Sequence, residues 1–317
     1  MRERFAAIDI GSNTFRMLIG EKAGGRGQTP WQTVFYTHRI IRLGEGLHHS
    51  GRLADTAMRR ALTAFTEYAE ILRQHNVPAQ HTLAVATAAI REATNGPAFR
   101  DQILAETGLD ICIIDGENEA RMSLAGSAAV LAPATRTDML LFDIGGGSTE
   151  FIRAADQRCP DLISTKTGVV RLVEAHLHSD PPSASDYQAM LAAVDTHLSA
   201  VEKHWGDISL PHHLVGTAGT VTTLAATELD LCPYDAATIN NHWMSSTAFE
   251  SLRNRLLAMN QEQRQGIRTI EPGRADLIIA GLAIVEAVLT RWRYHGMSIV
   301  DAGLLEGAWL EISRTQP

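Results

Sequence analysis

The sequence has few cysteines, and they form no pattern. Cys112, Cys159 and Cys232 are the three in 317 residues, and they stand far apart, in no spacing typical of a disulfide framework or a metal site. This predicts a reducing compartment and thiols that are buried or idle. The 13 histidines likewise show no zinc-binding spacing, and no His-Asp dipeptide of the metal-phosphohydrolase kind occurs. A zinc hydrolase and a metal phosphohydrolase of that kind are excluded.

Long apolar runs and an excess of basic residues are also missing. The apolar run near the N-terminus is interrupted at Asp9, and no later run is long enough to cross a membrane. We therefore expect no signal peptide, no membrane contact and a cytoplasmic location. The formal net charge of −8 argues against a general nucleic-acid binder. It does not argue against an anionic substrate, because attraction depends on the local field of the site.

One short motif occurs twice, half a chain apart. Residues 9–14 read Asp-Ile-Gly-Ser-Asn-Thr, and residues 143–149 read Asp-Ile-Gly-Gly-Gly-Ser-Thr. In each copy an apolar strand ends in Asp, small or hydroxyl residues follow, and a second strand begins. Around each copy a strand-rich start gives way to alternating strands and helices, which predicts two α/β domains with mixed sheets. Such a duplication predicts a polyphosphorylated substrate held in a cleft between two similar domains.

Each motif is typical of a hairpin turn that binds phosphate. Glycine at 11, 145, 146 and 147 allows backbone amides to approach phosphate oxygens, and the neighbouring hydroxyl and amide side chains can add donors. Asp9 and Asp143 would repel phosphate directly, so we expect them to face a bridging Mg²⁺ or to position water. The alternative is a pair of ordinary tight turns in which Asp is a common turn former.

A second phosphate-binding segment is predicted at residues 216–224 (Gly-Thr-Ala-Gly-Thr-Val-Thr-Thr-Leu), which follow a short strand and open a helix. Simple N-capping by Thr217 or Thr220 is the alternative reading. Residues 86–91 offer Thr87 and Arg91 at another strand-to-helix junction, and arginine suits phosphate because its planar fork donates to two oxygens.

A candidate general base lies in residues 115–121 (Asp-Gly-Glu-Asn-Glu-Ala-Arg), where a strand leads into a helix. Acidic residues are common at helix starts because of the helix dipole, and this explanation suffices for Glu117. Glu119 lies at the predicted junction of the two domains, where a carboxylate can take a proton from water attacking phosphorus. Ser12 and Ser148 lack a neighbouring His-Asp pair, so covalent catalysis is not supported.

Taken together, the motifs resemble the exopolyphosphatase and guanosine pentaphosphate phosphatase (Ppx/GppA) family in its short, two-domain form. The similarity includes residues 9–14, 42–46, 86–91, 117–121, 143–150, 168–172 and 216–224, in order along nearly the whole chain. It implies two actin-like ATPase (ribonuclease H-like) domains with mixed sheets flanking a central cleft. We expect residues 1–118 with 301–317 to form one domain and residues 119–300 the other.

The resemblance also implies roles for individual residues. Glu119 matches the general base, Asp143 and Glu150 match the acidic pair that serves Mg²⁺ and water, and Asp9 is a further expected metal ligand. Arg16 and Arg274 stand where members contact substrate or guanosine nucleotide. The residues expected to bind phosphate or substrate are Gly11, Ser12, Asn13, Thr14, Arg16, Thr87, Arg91, Gly145, Gly146, Gly147, Ser148, Gly216, Gly219, Thr220 and Arg274. Mg²⁺, with Mn²⁺ as a substitute, and a homodimer are implied as well.

The function expected from these features is exopolyphosphatase activity, with guanosine pentaphosphate phosphohydrolase activity as the alternative. Leu305 replaces the usual Arg of the closing motif (residues 301–307), and Asn240 and Asn241 replace a His-Gly pair, so both substrates stay open. Two rivals from other classes are an ATP-dependent sugar or acyl kinase and a non-catalytic nucleotide sensor or assembly protein. Glu119 and its motif argue against both rivals, because transfer to water needs such a base and a scaffold does not.

Overall fold

The computed structural model describes residues 3–23, 29–154, 161–206 and 210–315. Cys159 lies outside these described residues, whereas Cys112 and Cys232 are free and exposed. The chain divides into two compact units. The first unit comprises Met1–Val130 and Ala302–Pro317, and the second comprises Leu131–Asp301.

The described strands are β1 (Arg4–Ile10), β2 (Thr14–Lys22), β3 (Trp31–Ile40), β4 (Thr82–Ala86), β5 (Ile111–Ile113), β6 (Met139–Ile144), β7 (Thr149–Ala154), β8 (Asp161–Thr165), β9 (His213–Thr217), β10 (His242–Ser245) and β11 (Gly296–Ile299). The described helices are α1 (Leu47–Ser50), α2 (Asp55–Gln74), α3 (Ala88–Glu92), α4 (Gly96–Thr107), α5 (Gly116–Val130), α6 (Pro133–Arg136), α7 (Val169–His176), α8 (Ala184–Trp205), α9 (Ala218–Glu228), α10 (Ala236–Ile239), α11 (Ser246–Leu257), α12 (Gln261–Gln265), α13 (Leu277–Arg291) and α14 (Leu304–Thr315).

Each unit contains its own sheet, and the two sheets have the same strand order. In the first unit the strand order is β3-β2-β1-β4-β5, with β2 antiparallel to its neighbours and β4 and β5 parallel to β1. In the second unit β8-β7-β6-β9-β11 repeats this order, and β10 adds an antiparallel edge strand. This arrangement confirms the predicted fold class of two ribonuclease H-like α/β units with mixed sheets.

The central strand of each sheet is apolar along its length because helices cover both of its faces. In β1, residues 5–10 are all buried, as are all six residues of β6. One face of β1 packs with α2, α4 and the side chains of Phe15 and Phe65. The other face packs with α5 and α14, where Trp309 donates from Nε1 to the Phe5 carbonyl at 3.0 Å. Each motif Asp is thus the residue before the last in a buried strand.

The domain boundary differs from the expected one. Helix α5 lies entirely in the first unit because it packs closely on α14. A Cβ atom at Gly126 would lie 2.0 Å from the Gly303 carbonyl oxygen, and one at Gly307 would lie 1.9 Å from that of Met122. The units therefore meet in sequence at 130/131 and 301/302, so that residues 119–130, expected in the second domain, belong with the first, and Asp301 belongs with the second.

The described helices include none that is both long and apolar enough to cross a membrane. Helix α13, the most apolar, has 15 residues and is buried inside the second unit. A helix that is apolar on all sides is expected in such a core position.

We expect Gly307→Ala to destabilise the first unit by about 1–3 kcal/mol, because the added methyl group must push α14 away from α5. Gly266→Ala is the matched control: Gly266 has φ −73°, and its Cβ would meet nothing closer than 3.3 Å. Urea unfolding followed by circular dichroism measures both. Equal stability of the two variants would show that the close approach of the helices contributes little.

Candidate active site

The first motif forms a tight turn between β1 and β2. The Gly11 amide donates to the Thr14 carbonyl at 3.2 Å, and a Cβ atom at Gly11 would lie 2.9 Å from that same oxygen. The second motif forms the same turn between β6 and β7. There the Gly145 amide donates to the Ser148 carbonyl at 2.9 Å, and a Cβ at Gly145 would lie 3.0 Å from it. The duplicated sequence therefore produces a duplicated backbone conformation.

The carbonyl oxygens of the first turn are held by the loop that follows β3. The amides of Ile41 and Arg42 donate to the Asn13 carbonyl at 2.8 and 2.9 Å, and the Gly44 amide donates to the Ser12 carbonyl at 2.8 Å. Among the described residues, the amides of Ser12 and Asn13 donate to no backbone carbonyl. The carbonyls thus face the protein, and the amides are left as donors for an anion.

The start of α7 holds the second turn in a similar way. Val169 and Val170 donate from their amides to the carbonyls of Gly145 and Gly146 at 3.1 and 2.9 Å. In the described part of the chain, residues 146 and 147 also have amides that donate to no carbonyl. Both turns therefore present amides in the manner predicted for phosphate binding.

The carboxylate below the first turn is compensated by an arginine. Asp9 and Arg16 are direct cross-strand neighbours, and Arg16 donates from Nε and Nη2 to Asp9 Oδ2 at 2.9 and 2.6 Å. Burial alone would lower the pKa of Arg16, but the negative charge of Asp9, with that of Glu306, outweighs it and raises this pKa. Asp9 as a metal ligand and Arg16 as a substrate contact both stay predictions, and the structure joins the two side chains to each other.

The equivalent pair below the second turn consists of two acids. Asp143 and Glu150 are direct cross-strand neighbours, 8% and 1% exposed. Ser164, the next residue across the sheet, donates to Glu150 Oε1 at 2.6 Å. Residues opposite each other in a sheet lie on one face, so both acidic side chains stand on the same face of the sheet, beside the glycine turn.

The metal-binding capacity of this pair is limited to two protein ligands. In the described ranges there is no group of three or more His, Cys, Asp or Glu side chains that could hold an ion. Mg²⁺ usually binds one or two carboxylates and takes its other ligands from water and substrate phosphates. Two carboxylates on one face therefore suit a divalent cation that takes its remaining ligands from water or phosphate.

Glu119 lies in the first turn of α5, in the first unit. Asp115 begins the helix, accepting from the Asn118 amide at 2.8 Å, and Glu119 is 7% exposed. Arg91 donates from Nη1 to Glu119 Oε2 at 3.0 Å and to the Ile114 carbonyl at 2.7 Å. The two predicted residues thus form one partly buried ion pair. Thr87, also buried, donates from its amide to the Ile10 carbonyl at 3.3 Å, at the end of the strand that leads into the first turn.

The segment at the end of β9 and the start of α9 packs closely against neighbouring residues. Thr217 is the cross-strand partner of Asp143 and makes no side-chain capping bond to α9, which disfavours capping by Thr217. Ala218 adopts a φ of +72°, a left-handed conformation that costs an alanine of order 1 kcal/mol. Such strain is common at functional sites.

Arg274 contacts this segment, and its position explains why residue 219 is glycine. Arg274 donates from Nη1 to the Gly219 carbonyl at 3.1 Å and forms an ion pair with Glu271 at 2.9 Å. A Cβ at Gly219 would lie 2.3 Å from that nitrogen. Thr220 packs with its methyl group against Gly281 of α13, and Gly216 packs against Phe142. Gly216, Gly219, Thr220 and Arg274 are thus assembled in one place. Their contact with substrate stays a prediction.

Two buried side-chain atoms beside the turns have no hydrogen-bond partner in the described structure. They are Asn13 Oδ1, in the first turn, and Thr167 Oγ1, which precedes the glycine that packs on the second turn. Buried polar atoms are nearly always satisfied, so a ligand or water at each turn is the expected partner.

Some site residues were not recognised from the sequence. No local sequence pattern marks Ser164 as a site residue, because only the strand pairing brings it to Glu150. Glu306 belongs to the closing motif, which is visible in the sequence, and its negative charge helps to raise the pKa of Arg16. Of the departures from the family pattern, Leu305 is buried in the core of the first unit. Asn241 has a φ of +67°, a conformation that asparagine tolerates better than most residues, and Asn240 accepts from the Asp301 amide at 2.8 Å.

Two ribonuclease H-like units, each with a glycine turn next to a carboxylate, define a phosphate-processing protein of the actin-like ATPase class. The model of the Ppx/GppA phosphatase family matches residues 18–316, so the chain belongs to this family. Members of this family generally depend on a divalent metal.

Relatives with curated names include exopolyphosphatase 2 of Mycobacterium tuberculosis, 32% identical over 98% of both chains. A guanosine-5'-triphosphate,3'-diphosphate pyrophosphatase of Aliivibrio fischeri is 28% identical over 97% of this chain but only 59% of its own length. Among solved structures, an exopolyphosphatase from Cytophaga hutchinsonii matches with a TM-score of 0.89 at 28% identity over 98% of each chain. An Aquifex aeolicus family member matches with a TM-score of 0.81 at 27% identity over 99% of each chain.

Proposed function

We propose that this protein is a Mg²⁺-dependent exopolyphosphatase that releases orthophosphate from the end of inorganic polyphosphate. The observation that carries the proposal is the second turn, where glycine amides lie beside the buried pair Asp143 and Glu150. Amides are donors for phosphate oxygens, and the acidic pair suits a cation that accompanies phosphate. The full-length similarity to an exopolyphosphatase favours polyphosphate as the substrate.

Glu119 is the proposed general base. Its carboxylate accepts a proton from a water molecule whose oxygen forms a new bond to the terminal phosphorus. The phosphoanhydride bond breaks at the same centre, and the shortened polyphosphate leaves with the electron pair. Arg91 holds Oε2 of Glu119 and so restricts the carboxylate to one orientation. The proton on Glu119 then passes to solvent.

The proposed roles of the turns are positioning and charge stabilisation. The amides of residues 12, 13 and 146–148 donate to phosphate oxygens, whereas those of Gly11 and Gly145 close the turns. Transfer to water depends mainly on such preorganised donors. Mg²⁺ bound at Asp143 and Glu150, or Mn²⁺ in its place, would neutralise charge on the transferred phosphoryl group. Arg16, Arg274 and the segment at residues 216–220 are the proposed further contacts to substrate.

Guanosine pentaphosphate phosphohydrolase activity is the second candidate, supported by the named pyrophosphatase relatives. The chain spans about three-fifths of their length, whereas it spans nearly all of the exopolyphosphatase relative. We therefore rank polyphosphate first. We further propose that the protein is cytoplasmic, that it forms a homodimer and that it binds neither nucleic acid nor membranes. Light scattering measures the oligomeric state.

The test compares orthophosphate release from long-chain polyphosphate, guanosine pentaphosphate and ATP under one set of conditions. We expect the fastest release from polyphosphate with Mg²⁺ present and none with a chelator. Faster release from guanosine pentaphosphate would support the second candidate instead. Release from none of the three would remove the proposed function.

A further inference from the structure

Three consecutive residues at the start of α7 donate to three consecutive carbonyl oxygens of the second turn. These belong to residues 145, 146 and 147, and the turn is called the triglycine turn below. Val169 and Val170 use their backbone amides, and Arg171 uses its side chain, donating from Nε to the Gly147 carbonyl at 3.3 Å. In the described structure no backbone amide donates to the Gly147 carbonyl, and from Leu172 onward the amides bond within the helix, beginning with Leu172 to the Gly168 carbonyl at 3.0 Å. The third carbonyl is therefore held by a side chain.

This series fixes the direction of the amides that face the phosphate. In a planar trans peptide the C=O and the following N–H point in opposite directions. Holding the carbonyls of residues 145, 146 and 147 therefore orients the amides of residues 146, 147 and 148. Glycine has the greatest backbone freedom of any residue, so an unheld Gly147–Ser148 peptide could rotate and turn its amide away.

The packing of Gly168 supports this reading. A Cβ atom at Gly168 would lie 2.3 Å from the Gly146 carbonyl oxygen, so glycine at this position lets the start of α7 approach the turn. The first turn needs no such side chain, since backbone amides alone hold the carbonyls of Ser12 and Asn13. The triglycine turn thus differs from the first turn, because its last peptide, Gly147–Ser148, depends on an arginine side chain.

We propose that Arg171 is a positioning residue that orients the Gly147–Ser148 peptide, so that the Ser148 amide points at the phosphoryl group to be transferred. The inference rests on the proposed function for its catalytic consequence. Lysine is not an adequate substitute, because its ammonium group lacks the planar fork that places Nε beside the carbonyl.

The variants Arg171→Lys and Arg171→Met test this role, with Arg268→Met as control. Arg268 forms an exposed ion pair with Asp230 in the same unit, at 3.1 Å, and takes no part in the site. We expect both Arg171 variants to lower kcat by about 10- to 100-fold, somewhat less than the loss of a whole transition-state donor, with little change in KM. The control should keep the wild-type kcat and KM.

Three results would overturn the inference. Full activity in Arg171→Lys would show that only the charge matters. A raised KM with unchanged kcat in Arg171→Met would make Arg171 a direct substrate contact. A lower melting temperature with unchanged kinetics would leave it a purely structural role.

A measurement without substrate separates this inference from the proposed function. The ¹⁵N–¹H resonance of Ser148 is followed by NMR while inorganic phosphate is added to wild type and to Arg171→Met. We expect a shift in the wild type that is lost in the variant. An equal shift in both would overturn the positioning role, whatever substrate the enzyme hydrolyses.

Discussion

Replacing Glu119 by glutamine is expected to lower kcat for polyphosphate hydrolysis by about two to four orders of magnitude, the usual contribution of a general base. Glutamine keeps the size of the side chain and its carbonyl oxygen can still accept from Arg91, so the substitution removes the base and its negative charge but preserves the contact. Orthophosphate release at saturating polyphosphate and Mg²⁺ measures the effect, and circular dichroism checks the fold. Glu119→Ala should abolish release in the same assay.

The matched control is Glu117→Gln, two residues earlier on the same helix. Glu117 is exposed and pairs with Arg121 at 2.6 Å, one helical turn further on. Exposed pairs of this kind contribute about 0.5 kcal/mol or less. We expect wild-type turnover from the control. Near-normal turnover in Glu119→Gln would mean that another group accepts the proton.

Replacing Asp143 by asparagine is expected to remove most of the response to Mg²⁺. The structure places Asp143 directly opposite Glu150, and one carboxylate alone binds a divalent cation more weakly than two. We expect the half-saturating Mg²⁺ concentration to rise by about tenfold or more and kcat to fall, as the transferred phosphoryl group loses charge neutralisation. Mg²⁺ should also raise the melting temperature of wild type more than that of the variant, since a ligand stabilises the state that binds it.

Asp161→Asn is the control for this prediction. Asp161 begins β8, in the same sheet as the acidic pair but three residues before Ser164, and its partner is Arg153 at 3.1 Å. Its metal titration should match the wild type. A titration of Asp143→Asn that also matched the wild type would exclude Asp143 from the metal site.

The features that could be predicted from the sequence are those fixed by local geometry. A hairpin with a short turn sets which residues lie opposite each other, so the motif residues 143–150 alone determine that Asp143 faces Glu150. The need for glycine at positions 11 and 145 is equally local, because the clash involves a carbonyl three residues away. The same reasoning applied to residues 9–16 would have paired Asp9 with Arg16.

The features that could not be predicted depend on distant parts of the chain. Helix α5 belongs to the first unit because of α14, which follows some 170 residues later in the sequence. The short strand β10 was not predicted, since its four residues lack clear alternation and gain their structure by pairing with β11. The contact of Arg274 with Gly219 likewise joins segments that no local pattern connects. The central cleft stays a prediction.

The most direct test of the central claim is hydrolysis of polyphosphate in ¹⁸O-labelled water, with the released orthophosphate analysed by mass spectrometry. The account predicts one ¹⁸O atom in each orthophosphate released, because water attacks the terminal phosphorus. Transfer of the terminal phosphoryl group to an acceptor, with no labelled orthophosphate, would contradict it and indicate a kinase. The absence of any phosphate release under the same conditions would contradict it as well.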